Sequence, residues 1–404
     1  PLDNEVDLAT IPGLAEIAPW VVGRYTKSRL PEVPDRVVAS AKSWLCATHM
    51  DREAPLLPWG SEVSPKISPV QATALILRFL VQSANKWLEE HSGQRVTELP
   101  ITITVPASFD EVARQLTVKA ANEADLGEVT LLEEPIAAFY AYLQSYQDSR
   151  RDSIQPGDLV LVCDVGGGTS DFSLIAATDV DGVLKLERIS VGRHLLLGGD
   201  NMDLALAVQT KNRLESEGQS LDRWQFLSLV GMCKQAKEQL LAPDGPNEVT
   251  HSIAARGSSL FASAISFSLS KADVTASIVD GFFPLTNLSA RPGRGQLGLQ
   301  ELGLHYETDA VLTKHLAEFL GKSYSQVEQS RSLKEKVGAE VMRQGAIHSA
   351  LLPTHLLFNG GVFHAECLRH RVVAQLKEWR GGDTPKLLEY VSLDSAVAVG
   401  AAFH

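Results

Sequence analysis

The stretch DVGGGTSDFSLI, residues 164–175, places three consecutive glycines and a threonine between two aspartates. An apolar run, LVLVC at residues 159–163, precedes it, and a second apolar run follows it instead of a helix. Two β-strands joined by a glycine turn are therefore predicted, with Asp164 and Asp171 at the mouth of the turn. The stretch differs from a P-loop, in which the glycines lead into a helix and are followed by a lysine.

A turn of this composition is suited to phosphate. Backbone N–H groups of Gly166, Gly167 and Gly168 can form an anion-binding concavity, and a phosphate can approach closely because glycine has no Cβ. Thr169 adds a hydroxyl donor. Two carboxylates beside phosphates suit Mg²⁺, which keeps several of its waters. The residues alone leave one alternative open, a tight glycine hairpin with solvated acids.

The composition excludes several classes of protein. The chain has 404 residues and a formal net charge of −12, which argues against general affinity for nucleic acid or for an anionic membrane surface. No apolar run approaches the ~18 residues that a membrane span requires. The four cysteines lie far apart and show no paired spacing, so a reducing compartment, the cytoplasm, is expected.

The first half of the chain has an alternating pattern. A β-branched run at residues 101–108 ends at Pro106, and helical apolar spacing follows at residues 110–124. A short strand is predicted at residues 129–132, and Pro135 opens another helix. This strand–helix–strand–helix order is typical of an α/β fold.

Helices are predicted to dominate the residues before this unit. The first 97 residues carry proline-rich joints, with helical apolar spacing at residues 35–45 and 69–90. A polar loop at residues 147–157 is the expected boundary to the second half.

The second half is predicted to contain strands, helices and one exposed connection. Strands are expected at residues 159–163, 171–177, 183–191, 355–361 and 387–391, with a hairpin at 249–265. Helices are expected at residues 200–242, 271–278 and 363–379 and from residue 393, and the connection covers residues 284–305.

DVGGGTSDFSLI resembles the second phosphate motif of the seventy-kilodalton heat-shock protein family, which belongs to the actin-like ATPase superfamily. Further similarities to this family follow one another along the chain. VVASAKSWLC resembles the segment with the catalytic lysine, here Lys42. ITVPASFDEVARQLTVKAA resembles the hinge segment, through Pro106 and Arg114, and LLEEPIAAFYAYL resembles the first connecting motif, through Glu134.

The same resemblance continues on the adenosine side. The glycine pair of the family's second lobe resembles LLLGGDNMDLAL, and the helix over the adenosine resembles MCKQAKEQLL. The adenosine motif resembles LLFNGGVFHAECLRHRV, and the second connecting motif resembles SLDSAVAVGAAF, which carries Asp394. The nucleotide-binding residues that the resemblance implies are Gly166, Gly167, Gly168, Thr169, Gly198, Gly199, Asp200, Lys237, Gly360, Gly361 and His364. The wording of several motifs resembles a divergent bacterial branch of the family.

The resemblance also implies catalytic roles. Lys42 would place its ammonium near the γ-phosphate and the attacking water, and Glu134 would order water from the opposing lobe. Asp164 and Asp171 would hold a hydrated Mg²⁺, and Thr169 would position the γ-phosphate. Pro106, Arg114 and Asp394 would form the hinge between the lobes.

Taken alone, three of these residues have simpler interpretations. Lys42 could be a surface lysine, and Lys237 could be a solvated charge on a helix. Glu134 could favour the N-terminal end of its helix through the helix dipole.

The implied fold is α/β, a two-lobed actin-like ATPase with ribonuclease H-like lobes and an inserted subdomain in each. Lobe I would cover residues 1–155, with a mostly helical insertion at 1–97 and a core at 98–155. Lobe II would cover residues 156–404, with its core at 156–197 and 307–404 and its insertion at 198–306.

The implied function is binding of ATP or ADP with Mg²⁺ between the lobes and hydrolysis of ATP to drive lobe rotation, in a chaperone-related role. Protein clients or co-chaperones are the expected partners, and neither nucleic acid nor a membrane is expected. Two alternatives stay open: a nucleotide-sensing scaffold or binding module without turnover, and a small-molecule kinase of the same superfamily.

Some residues depart from the family pattern. No strand with an Asp–Leu–Gly–Thr–Thr-like turn occurs in residues 1–41, and the expectation is that the chain starts after this first phosphate hairpin. Val362 and His364 stand where the family has small polar and arginine residues, and Lys234 replaces an acid near the ribose.

One spacing mimics a metal site. His364, Cys367 and His370 lie three residues apart on a predicted helix. The first and last positions lie about 120° apart around the helix axis, so the three side chains cannot converge on one ion.

Overall fold

A computed structural model describes residues 20–62, 66–145, 154–254, 264–293, 304, 306–344, 348–389 and 392–404. Five regions discussed above lie wholly or partly outside these ranges. They are the first 19 residues, most of the polar loop at 147–157, residues 255–263 of the predicted hairpin, residues 294–303 and 305 of the connection, and residues 390–391 of the last predicted strand.

The N-terminal part of the chain, residues 20–145, consists of helices and two parallel strands. Its elements are α1 (Arg24–Arg29), α2 (Ala41–Trp44), α3 (Pro69–His91), β1 (Thr102–Val105), α4 (Glu111–Glu123), β2 (Thr130–Glu133) and α5 (Glu134–Ser145). Strands β1 and β2 pair in parallel, with Thr102 opposite Thr130. The predicted strand–helix–strand–helix order of β1, α4, β2 and α5 is confirmed, as is the helix predicted at residues 69–90.

Local sequence explains where the two longest helices of this part begin. Ser68 precedes α3 and accepts a hydrogen bond from the Gln71 backbone N–H (3.1 Å), while the Gln71 side chain accepts one from the Ser68 N–H (2.9 Å). This reciprocal arrangement satisfies two backbone donors at the start of the helix. Asp110 likewise caps α4 through the Ala113 N–H (2.7 Å).

The C-terminal part, residues 154–404, contains one five-stranded sheet and, among its described residues, two two-stranded sheets. Its strands are β3 (Leu159–Val165), β4 (Ser170–Val180), β5 (Val183–Val191), β6 (Glu248–Ile253), β7 (Ile265–Ser270), β8 (Met342–Arg343), β9 (Ala350–Leu351), β10 (His355–Asn359) and β11 (Lys386–Leu388). Its helices are α6 (Gly199–Ser216), α7 (Arg223–Leu240), α8 (Lys271–Val274), α9 (Leu312–Gln329), α10 (Arg331–Lys334), α11 (Glu366–Trp379) and α12 (Ala396–Phe403).

The five-stranded sheet has the order β11-β10-β3-β4-β5. β10 is parallel to both β11 and β3, and the β3–β4 and β4–β5 pairs are antiparallel. Every residue of β3 except Asp164 is buried, which explains its continuous apolar run. The only titratable carboxylate of this strand thus lies at its carboxyl end.

Helices α5 and α12 join the two parts. Phe139 and Tyr142 of α5 pack against residues of β3 and β10 in one apolar cluster. Helix α12 packs against α5 and β1 of the N-terminal part. A Cβ at Gly400 of α12 would overlap the carbonyl oxygen of Ala137, so glycine is required for this close approach.

Several predicted elements differ from the structure. The helix expected at residues 35–45 is wrong: a 3₁₀ turn (Pro34–Arg36) and extended residues precede the short α2, because Ser40 adopts a left-handed conformation with φ 57°. The helix at 271–278 ends in a π-helical turn (Thr275–Asp280), and the helix at 363–379 starts only at Glu366. Strand β7 continues past residue 265, where the predicted hairpin ended, and strands β8 and β9 were not predicted.

Two general expectations can be compared with the described residues. None of their helices has an apolar stretch long enough to cross a membrane. The four cysteines all fall within the described ranges, and each is a free thiol there, as their spacing predicts.

Candidate functional site

The glycine turn connects β3 to β4 as a hairpin. Asp164 and Asp171 are direct partners across this antiparallel pair. Opposite residues of an antiparallel pair project from the same face of the sheet, so both carboxylates lie on one side of the turn. The Gly166 N–H donates to the Thr169 carbonyl (2.9 Å) and closes the turn, and the Thr169 side chain is largely buried.

The N-terminus of α6 docks against this turn. The Gly199 N–H donates to the Gly166 carbonyl (3.0 Å), and the Asp200 N–H donates to the Gly167 carbonyl (2.6 Å). A Cβ at Gly198 would lie 2.6 Å from both carbonyl oxygens. The GG pair therefore permits a backbone-to-backbone contact that brings the positive end of a helix dipole beside the turn.

Residues of the N-terminal part face the turn from the other side. A Cβ at Gly168 would overlap the hydroxyl of Ser43 in α2. One residue earlier, the Lys42 ammonium lies 2.6 Å from a carboxylate oxygen of Glu134, the first residue of α5. Burial alone would lower the pKa of Lys42, but the nearby charges of Glu134, Asp164 and Asp171 outweigh this effect and raise it. The ammonium form is therefore stabilised.

Asp164 is the more perturbed of the two carboxylates. Burial, together with the charge of Glu134, raises its pKa to about 7, although Lys42 and a hydrogen bond from Asn359 favour the charged form. The Asn359 amide donates to Asp164 Oδ2 at 2.7 Å. A positive charge placed beside Asp164 would offset the repulsion between these carboxylates.

Asp171 has different neighbours. The hydroxyl of Ser108 donates to Asp171 Oδ1, and the Nδ1 atom of His194 lies 2.7 Å from the Ser108 hydroxyl and 3.4 Å from the same carboxylate oxygen. Burial alone would lower the pKa of His194, but its interaction with Asp171 and with Cys46 raises it to about 10. Asp171 is thus held by polar groups from both parts of the chain.

An ionic cluster lies beside the start of α6. The Lys234 ammonium is 3.3 Å from Asp200 Oδ1, and the Lys237 ammonium is 2.6 Å from Asp203 Oδ1. Ser40 donates to Asp200 Oδ2 across from the N-terminal part. Burial favours the neutral form of Asp200, but Lys234, Ser40 and Lys237 together lower its pKa. In Asp203, by contrast, burial outweighs the nearby lysines and raises the pKa.

The second glycine turn follows β10. Gly360 has φ 88°, and a Cβ there would overlap the Val165 carbonyl at the end of β3. Among the described residues, no heavy atom beyond Gly361 and its chain neighbours lies within 4 Å of a Cβ placed at Gly361. A Cβ placed at Gly199 would lie 3.4 Å from both the Lys237 ammonium and a methyl carbon of Val362. The segments that contain Gly199, Lys237 and Val362, which were predicted as three separate motifs, therefore meet here.

The predicted hinge residues lie in three places: Pro106 follows β1, Arg114 lies in α4, and Asp394 precedes α12. The carbonyl of Pro106 accepts from the Phe109 N–H (3.1 Å) in the turn after β1. Arg114 pairs with Glu133 (3.2 Å) at the end of β2. His364 Nε2 lies 2.8 Å from Asp394 Oδ1, so the adenosine motif and the second connecting motif are joined by a polar contact.

Comparison with known proteins now identifies the family. The family model described as "Hsp70 protein" matches residues 37–256, which is more than half of the chain. The chain belongs to the Hsp70 family. The mixed α/β structure agrees with the two-lobed actin-like ATPase fold of that family.

Curated relatives agree with this assignment. "Chaperone protein DnaK" from Burkholderia cenocepacia (strain HI2424) and that from Burkholderia orbicola (strain MC0-3) are each 36% identical over 146 residues, 36% of this chain and 20% of each relative. "Chaperone protein DnaK" from Psychrobacter cryohalolentis is 36% identical over 148 residues, 37% of this chain and 21% of the relative. The chain thus aligns with about a fifth of the length of these relatives.

The structure of this Hsp70 member adds residues that the sequence did not single out. Ser40, Ser43, Ser108, His194 and Asn359 all contact the predicted site. Serine at such positions gives no sequence signal. Only Asn359 could have been found, since it ends a buried strand immediately before the glycine pair of the adenosine motif.

His364 ends a 3₁₀ turn (Gly361–His364), whereas Cys367 and His370 lie in α11. Within the described ranges, no three His, Cys, Asp or Glu side chains are arranged as a set of direct metal ligands. This finding concerns direct coordination, whereas Asp164 and Asp171 are expected to act through water.

Proposed function

We propose that this chain binds ATP or ADP with Mg²⁺ in the cleft between its two parts and hydrolyses ATP. The supporting observation is the convergence of two pairs of side chains. Lys42 and Glu134 come from the N-terminal part, and Asp164 and Asp171 flank the glycine turn of the C-terminal part. Their mutual effect on the pKa values of Lys42 and Asp164 indicates that the pairs face one another.

The phosphates would lie against the glycine turn. Its backbone N–H groups and the N-terminus of α6 favour an anion. A Cβ at Gly168 would overlap the hydroxyl of Ser43 in α2, so glycine lets α2 lie this close to the turn. Lys42 would stabilise charge on the transferred phosphoryl group, Glu134 would orient the attacking water, and Thr169 would contact the γ-phosphate.

The carboxylates fit a hydrated Mg²⁺. Asp164 and Asp171 project from one face of the hairpin. Burial and then the charge of Glu134 raise the pKa of Asp164, so a cation held there would favour its charged form. The ion would supply positive charge that offsets the charge of the phosphates. Asp164 and Asp171 would hold its waters, so that the metal stays beside the turn without direct protein ligands.

The adenosine would lie between α6, α7 and the turn after β10. For this part of the site we propose Gly198, Gly199, Asp200, Lys237, Gly360, Gly361 and His364. The open surface at Gly361 and the contact between Gly199 and Lys237 support this placement.

We propose that the two parts are lobes that rotate about Pro106, Glu134 and Asp394. Lobe I would cover residues 1–155, with its insertion at 1–97, and lobe II would cover residues 156–404, with its insertion at 198–306. Because α12 of the second range packs on α5 and β1, rotation would be transmitted through this helix and the adjoining His364–Asp394 contact.

The wider role that we propose is chaperone-related. The relatives bear the name "Chaperone protein DnaK", and protein clients or co-chaperones would be the partners of a protein of this kind. A cytoplasmic setting agrees with the unpaired cysteines.

A nucleotide sensor without turnover is a second proposal. In the adenosine region Lys234 pairs with Asp200 and His364 pairs with Asp394, so groups that could contact the nucleotide already have partners. Single-turnover hydrolysis separates the two proposals, because a sensor binds nucleotide and leaves it intact. ATP consumption stimulated by a small substrate would instead indicate a kinase.

The same assay tests the role of Lys42. Lys42→Ala in the complete gene product is expected to abolish slow single-turnover hydrolysis and to leave nucleotide affinity nearly unchanged, because the ammonium acts mainly on the transition state. Lys119→Ala removes an exposed lysine that pairs with Glu53 and is the matched control. Turnover that survives in Lys42→Ala would show that another group supplies this charge.

A further inference from the structure

A hydrogen-bonded chain of three residues lies on one side of the predicted metal site. Its members are His194, Ser108 and Asp171, joined by the His194 Nδ1–Ser108 Oγ contact of 2.7 Å and by the bond from the Ser108 hydroxyl to Asp171 Oδ1. His194 and Ser108 have no role in the function proposed above.

The direction of each hydrogen bond follows from the available protons. A carboxylate only accepts, so the single hydroxyl proton of Ser108 is used for Asp171. The Ser108 oxygen can then only accept from His194, which requires a proton on Nδ1. At 3.4 Å from Asp171 Oδ1, the same N–H also points towards the carboxylate. Both donors therefore converge on one oxygen of Asp171.

The second oxygen of Asp171 has a different environment. No hydrogen bond from the described residues reaches Oδ2, although the side chain is only 7% exposed. One carboxylate oxygen is thus fixed by the protein, and the other is left for a water molecule or a hydrated ion.

This chain of residues crosses between the two parts of the molecule. Ser108 follows β1, whereas His194 follows β5 and Asp171 lies in β4. The ring of Phe109, next to Ser108, meets the imidazole edge-on, with centroids 5.8 Å apart. The orientation of Asp171 therefore depends on a donor from the opposite side of the cleft.

We propose that Ser108 and His194 are positioning residues that orient Asp171 towards the hydrated Mg²⁺ of a bound nucleotide. The inference rests on the proposed function. Because Ser108 belongs to the N-terminal part, rotation of the two parts removes one donor from Asp171 and weakens its hold on the metal waters. The affinity for the magnesium nucleotide is thereby linked to closure of the cleft.

The test compares ADP binding with and without Mg²⁺. Isothermal titration of the full-length protein measures the dissociation constant in excess Mg²⁺ and in EDTA, for the wild type, Ser108→Ala and Ser108→Thr. Ser108→Ala is expected to reduce the gain in affinity from Mg²⁺ about tenfold, because a hydrogen bond to a charged group is lost. Ser108→Thr retains the hydroxyl and is expected to retain most of the gain.

Two further variants sharpen the result. His194→Ala removes the first donor without altering the turn after β1, and it is expected to shift the Mg²⁺ dependence in the same direction. Ser173→Ala is the matched control, because Ser173 is a buried serine of the same strand whose hydroxyl has no hydrogen-bond partner in the described residues. Thermal unfolding without nucleotide verifies that each variant is folded.

The outcomes are distinct. An equal loss of affinity with and without Mg²⁺, or an unchanged Mg²⁺ dependence in both Ser108→Ala and His194→Ala, overturns the positioning role while the proposed function stands. If the wild type binds no ADP under either condition, the proposed function fails and the inference fails with it. A selective loss of the Mg²⁺ effect, restored in Ser108→Thr, supports the inference.

Discussion

Replacing Gly198 by alanine should separate α6 from the glycine turn. The new Cβ would stand 2.6 Å from the carbonyl oxygens of both Gly166 and Gly167, which is 0.4 Å inside the 3.0 Å that real Cβ contacts respect. The φ of Gly198 is −167°, an extended conformation open to any residue, so steric overlap is the whole cause. Since the atoms in the way are backbone, a side-chain rotation cannot relieve the overlap.

The expected cost follows from this geometry. Overpacking of a well-packed site costs about 1–3 kcal/mol, and two simultaneous backbone overlaps suggest about 2 kcal/mol. For a chain of 404 residues this corresponds to a melting temperature lower by about 2 °C. The hydrogen bonds from Gly199 and Asp200 to the turn would also lengthen, so the affinity for MgADP should fall.

Thermal unfolding monitored by circular dichroism checks the stability change. Gly281→Ala is the control, because Gly281 has φ −82° and the nearest heavy atom to a Cβ at this position would be the Ala276 carbonyl oxygen at 3.8 Å. That variant should melt within about 1 °C of the wild type or slightly above it. If Gly198→Ala has the same melting temperature as Gly281→Ala, the close contact between α6 and the turn is refuted.

Two other substitutions test the electrostatics. Lys237→Met should lower the free energy of unfolding by about 3 kcal/mol at pH 8, because it leaves Asp203 buried without its partner at 2.6 Å. The pKa of Asp203 is already raised, so the loss of stability should be smaller at pH 5. Denaturant titrations of wild type and variant at both pH values measure this difference. Asp110→Ala should cost about 1.5 kcal/mol at pH 7 through loss of the helix cap and of the pair with Arg52. That hydrogen-bonded arginine lowers the pKa of Asp110 below its usual 3.8, so the contribution is present at neutral pH and is lost as the pH falls below 3.8. Urea titrations should show the difference between wild type and variant shrinking in that acid range.

The hairpin of β3 and β4 and helices α3 and α4 could be predicted because neighbouring residues in the sequence determine them. Strand β3 is a continuous apolar run, and β4 starts where the glycines end. In a hairpin with this turn, the positions of Asp164 and Asp171 opposite one another follow from chain geometry. Helices α3 and α4 could likewise be placed from their apolar spacing, with caps at their first residues.

The remaining features depend on tertiary contacts. The predicted helix at residues 35–45 is interrupted at Ser40, whose side chain bonds to Asp200, 160 residues away. Ser108 and His194 are separated by 86 residues and meet only because the two parts pack together. Neither contact has a periodicity or a motif that the sequence could reveal.

The most direct test of the central claim is an isothermal titration of the complete gene product with MgADP. Saturable binding at one site is predicted, and chelation of Mg²⁺ with EDTA should weaken it, since we propose that Asp164 and Asp171 hold the metal beside the phosphates. The absence of binding up to millimolar MgADP would contradict the assignment of the glycine turn as a nucleotide site.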